Sequence, residues 1–60
     1  MDYEEVKARI LSEYRGYDGP ISVEMVCLAI HAVPRVSRKA LDMLCKDGSL
    51  VLTEKGYERI

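Results

Sequence analysis

Apolar residues recur at three- and four-residue steps at the start of the chain: Tyr3, Val6, Ile10 and Tyr14, with Leu11 beside them. That period puts them on one face of an amphipathic helix. Asp2 followed by Glu5 has capping-box spacing, and the acids of this first turn complement the helix dipole. Glu5 and Arg9 form an i,i+4 pair on the other side. The pattern predicts a helix over roughly Asp2 to Tyr14, stopped by Gly16, Gly19 and Pro20.

A second apolar segment follows Ser22, which is placed to cap it. Val23, Val26, Cys27 and Ile30, with the small Ala29 and Ala32, leave little polar circumference, so a short helix wedged between others is expected. Pro34 forbids its continuation through Val33. In the next segment Ser37, Ala40, Leu41, Leu44 and Cys45 share a face. Arg35, Lys39, Asp42 and Lys46 take the opposite one, with Arg38 and Met43 flanking. A third helix beginning near Pro34 or Ser37 and closed by Gly48 accounts for this. The last twelve residues change period. Leu50 to Thr53 and Tyr57 to Ile60 bracket Glu54-Lys55-Gly56, which predicts a hairpin with a three-residue turn and Gly56 at positive φ. The competing arrangement has Thr53 capping a final helical turn. There is no internal repeat.

Helix, helix, tight turn, helix, hairpin is the order of the winged helix-turn-helix superfamily, and the residues carry the resemblance further. Ile21 to Ala29 looks like the first helix of the helix-turn-helix. Val33 to Leu50 is similar to its turn and recognition helix: a serine near the start (Ser37), leucines three apart (Leu41, Leu44), then the Asp47-Gly48 exit into the apolar Leu50. Leu52-Thr53-Glu54-Lys55-Gly56-Tyr57 resembles the wing. The likeness spans nearly the whole chain and implies an α+β, mostly α fold, a single domain over residues 1–60, and contact with duplex DNA through the third helix. It departs from the DNA-binding pattern in a minimal wing, with only Lys55 and Arg59 as nearby cations.

Charge changes this picture in detail. Nine Lys and Arg against ten Asp and Glu give a net charge of −1, whereas a nucleic-acid binder is usually basic overall. The distribution is uneven. Residues 1–19 hold three basic and five acidic groups, while Arg35 to Lys46 holds four basic groups against Asp42 alone, a local net of +3. One positive patch sits on an otherwise acidic chain. Sixty residues leave little room for a deep catalytic pocket beside a core. The longest apolar run, Met25 to Ile30, is too short to span a bilayer, and the acidic opening lacks the basic region of a signal peptide. A cytoplasmic protein with no membrane association is expected.

On the DNA reading, Arg35, Arg38 and Lys39 lie nearest the base edges, with Arg supplying the bidentate fork for guanine. Ser37 is expected to cap the helix or to reach a phosphate. Lys46 serves phosphates at the far end, and Lys55 and Arg59 carry the wing to an adjacent groove. One helix with a stub wing makes few phosphate contacts, so a homodimer is the natural binding unit. The first product of that reading is a transcriptional regulator or accessory factor. The alternative is a protein-interaction module that docks a partner through the acidic first helix and an apolar strip including Met43, Val51 and Ile60. A third possibility is the same fold kept without DNA affinity.

Other chemistry is not expected. Cys27 and Cys45 sit in separate apolar segments and read as reduced core thiols, ahead of a disulfide or a metal site. His31, the only histidine, reads as a helix-end residue that complements the dipole or packs partly buried. The carboxylates form no catalytic pair, and Gly16-Tyr17-Asp18-Gly19 has no phosphate-loop context. Tyr17 is the tyrosine best placed for an exposed contact. No cofactor and no enzymatic activity are anticipated.

Overall fold

The helix starts are set by local side chains. The Asp2 carboxylate accepts from the Glu4 and Glu5 N–H groups (3.0 and 3.4 Å), and Ser22 Oγ accepts from the Met25 N–H at 3.1 Å. Each satisfies donors that have no partner inside the helix. In the computed structural model, which describes residues 2–60, these caps open α1 (Tyr3–Glu13) and α2 (Val23–Ile30). Then come α3 (Pro34–Lys46) and an antiparallel hairpin, β1 (Leu50–Thr53) with β2 (Gly56–Arg59).

The start of α3 belongs to Pro34, whose missing N–H costs nothing at the first helical position and whose ring holds Val33 extended. Ser37 caps nothing. It lies a full turn inside the helix, completely buried. The end of α3 is a Schellman turn: Gly48 N–H donates to Cys45 O (3.1 Å) and Ser49 N–H to Leu44 O (3.0 Å), with Gly48 at φ +83°.

Three features depart from the sequence pattern. The chain leaves α2 at His31, which adopts the left-handed conformation (φ 56°, ψ 42°) three residues before Pro34. Histidine is among the residues that enter this region more readily. It occupies the expected helix end with its side chain exposed. Next, α2 lies against α1 and α3 as expected, but its outer side stays open: Val26 and Ile30 are buried, whereas Leu28 is 80% exposed. Finally, the hairpin turn has two residues, not three. Thr53 pairs with Gly56, so Gly56 belongs to β2 and only Glu54 and Lys55 make the connection. The Thr53 hydroxyl accepts from the Lys55 N–H (3.1 Å) and donates to the Glu58 carboxylate (2.6 Å), which fixes the turn without any helical continuation.

The core draws on every element: Val6 and Ile10 from α1, Val26 and Ile30 from α2, Ala40, Leu41 and Leu44 from α3, Leu50 from β1, Tyr57 from β2, and Ile21 from the loop before α2. Ile21 also exchanges two backbone hydrogen bonds with Tyr57 (2.7 and 2.9 Å). β2 is therefore bonded on both sides, to β1 along its length and to Ile21 at one residue. The approach is close enough that a Cβ at Gly56 would lie 2.9 Å from the Ile21 carbonyl oxygen.

α1 and the end of α3 are joined by charge. Lys7, only 9% exposed, bonds both the Asp47 carboxylate at the α3 C-cap and Glu4 (3.1 Å). The bond to Asp47, then that to Glu4, holds the ammonium above its usual pKa against the opposing effect of burial.

Candidate nucleic-acid interface

α3 places its charges by periodicity. With Ala40, Leu41, Leu44 and Ser37 packed inward, Arg35, Arg38, Lys39, Asp42 and Lys46 must point outward, and all five are exposed. Arg35, Arg38, Lys39 and Asp42 line a shallow concavity with Pro34, about 560 Å³ in volume. Among the described residues, no carboxylate forms an ion pair with Arg35, Arg38, Lys39 or Lys46; the ion pairs present belong to Lys7. Lys39 has a different partner, its Nζ lying 5.0 Å from the centroid of the Tyr3 ring. This cation–π contact contributes about 0.5–1 kcal/mol at an exposed site and leaves the charge of Lys39 without a carboxylate partner. Lys46 stands in the last turn, where the helix dipole favours a cation.

The carboxylate on this face is held from across the fold. The Tyr57 hydroxyl donates to Asp42 Oδ1 at 2.8 Å, tying β2 to the outer edge of α3. Burial first, then this hydrogen bond and the charge of Asp42, push the Tyr57 phenol up to about 12, with Arg38 acting weakly the other way. Sequence spacing gives no sign of this contact. Tyr57 and Asp42 are fifteen residues apart and meet only because Ile21 and β1 hold β2 against the helix.

Two of the residues expected at the interface lie elsewhere. Ser37 is buried with its Oγ 3.4 Å from Cys27 Sγ. It links α3 to α2 and cannot touch a phosphate, as its place on the leucine side of the helix requires. Arg59 is exposed but pairs with Leu50 at the open end of the hairpin, away from the turn that carries Lys55. It borders a groove of about 710 Å³ with Ala8, Leu11, Ser12 and Arg15 of α1 and its exit, so the structure brings it to α1 and not to α3. Lys55 is exposed at the turn.

The remaining candidates have structural partners. Cys27 and Cys45 are free and half-buried; burial, with Asp42 adding, raises the Cys45 pKa and holds it as a thiol. Tyr17 is 40% exposed, yet its ring rests 5.6 Å from that of Tyr14 and its hydroxyl donates to the Pro20 carbonyl. Of the anticipated apolar strip, Val51 and Ile60 are exposed and Met43 is half-buried, and Leu28 and Leu52 are also open to solvent. No helix among the described residues is long and apolar enough to cross a membrane. No family model, curated protein or solved structure compared with this chain matches it.

Proposed function

We propose that this chain is a small DNA-binding protein of the winged helix-turn-helix kind, a transcriptional regulator or accessory factor that lays α3 in the major groove. The observation that carries the reading is the outer face of α3, where Arg35, Arg38, Lys39 and Lys46 are all exposed and none is neutralised by a carboxylate. Unpaired cations spaced along one helix suit the phosphates and base edges of a groove. The α1–α2–turn–α3–hairpin order supports it, with one face of α3 packed on the core and the other exposed, and Lys55 in the hairpin turn. Arg59, at the open end of the hairpin beside α1, is not counted in this interface.

Thirteen residues of α3 reach about 20 Å, roughly half a turn of duplex, so two copies on half-sites about one turn apart are the expected binding unit. Exposed Leu28 and Leu52 favour a second reading, a protein-docking module. One titration separates them. Binding to random duplex DNA should weaken steeply with salt, with a logarithmic slope of about −0.9 for each phosphate contacted. The Arg38→Ala, Lys39→Ala double variant should lower both affinity and slope. Absence of binding to duplex even at low ionic strength refutes the DNA reading and leaves the docking one.

A further inference from the structure

We infer that Asp42 is a specificity-determining residue of the α3 face, accepting a hydrogen bond from the exocyclic amine of a cytosine in the major groove. The inference rests on the DNA reading above and deepens it. A carboxylate amid phosphate-seeking cations opposes non-specific binding, and here it is not consumed by them. Asp42 lies one turn from Arg38 and Lys39 and one turn from Lys46, yet forms no ion pair with any of these. It is held instead by a neutral donor, the Tyr57 hydroxyl on Oδ1, which orients the side chain without cancelling its charge. The second oxygen stays on an exposed residue in the same concavity as Arg35, Arg38 and Lys39.

Base-edge chemistry selects the partner. A carboxylate only accepts, so it repels the acceptors N7 and O6 of guanine, O4 of thymine and N7 of adenine. Cytosine alone presents an amine with no acceptor of its own beside it in the major groove. Arg38, four residues earlier on the same face, is the guanine-reading fork. Four residues rise about 6 Å, close to two base steps of 3.4 Å, so a cytosine is expected about two steps from the guanine. Tyr57 is the positioning residue.

The test is selection from a randomised duplex library with the wild-type protein, D42N, D42A and Y57F. Wild type should enrich a cytosine column about two positions from a guanine column. D42N, which keeps an oxygen for Tyr57 but is no longer a pure acceptor, should lower that cytosine preference about tenfold, as should D42A. Y57F should flatten the same column while leaving the salt slope unchanged, a pattern that general loss of folding would not give. A selected motif without the cytosine, or one identical in D42N, overturns the role of Asp42 and leaves the DNA reading standing. Duplex retained without enrichment of any sequence likewise overturns only the role of Asp42, whereas no duplex retained even at low ionic strength overturns both.

Discussion

Tyr57→Phe removes one oxygen from the joint between the hairpin and α3. The hydroxyl bonds a charged acceptor at 2.8 Å, and hydrogen bonds to charged groups contribute about 1.5–3 kcal/mol. Asp42 is exposed and regains water when released, so the net loss falls at the low end, about 1–2 kcal/mol. Against a total of roughly 3–9 kcal/mol for sixty residues, that is a large fraction. At about 4–8 °C per kcal/mol for a domain of this size, the melting temperature should fall by roughly 5–15 °C at pH 7. Alkali supplies a second readout. Folding raises the Tyr57 phenol from 10.0 to about 12, so its contribution is whole below pH 10 and is lost as the pH climbs toward 12. At about 1.4 kcal/mol per pH unit the ceiling is about 3 kcal/mol. In Y57F this part of the alkaline decline is absent. The rest remains, because burial raises Tyr14 and the Asp47 and Glu4 bonds raise Lys7, and both lose their contributions above their ordinary values. Urea melts followed by circular dichroism from pH 7 to 11.5 measure both effects. Equal midpoints at pH 7 together with superimposable alkaline limbs would refute the reasoning.

Gly56→Ala should be far more damaging than Gly48→Ala, although both residues have positive φ. At Gly48 the added methyl meets open space, and the cost is the backbone strain of about 1–2 kcal/mol; at Gly56 it also meets the Ile21 carbonyl oxygen at 2.9 Å. Thermal melts of the two variants compare them, and equal losses would mean that the Ile21–Tyr57 approach is looser than described. Leu44→Ala, at a side chain 1% exposed, should cost about 2–5 kcal/mol, enough to leave much of the protein unfolded at 37 °C. Wild-type-like melting would mean that α3 is turned the other way, and the outward cations would go with it.

The signals legible in the sequence act within about one helical turn. Asp2 and Ser22 reach N–H groups two or three residues on, Gly48 closes its own helix, and the α3 periodicity separates leucines from cations. For that reason the three helices, the hairpin and the outward placing of Arg35, Arg38, Lys39 and Lys46 could be read without coordinates. The same periodicity places Ser37 on the buried side, where its hydroxyl meets Cys27 rather than a helix end or a phosphate. What only the tertiary structure decided involves partners far apart in the chain: Ile21 with Tyr57, Tyr57 with Asp42, Lys7 with Asp47, and Arg59 beside α1. Each depends on where rigid elements dock, which is settled by the shape of the shared core rather than by the residues on either side of the contact. A helix pattern fixes which way a side chain leaves its own axis; what it meets there depends on how the other elements fill the remaining space.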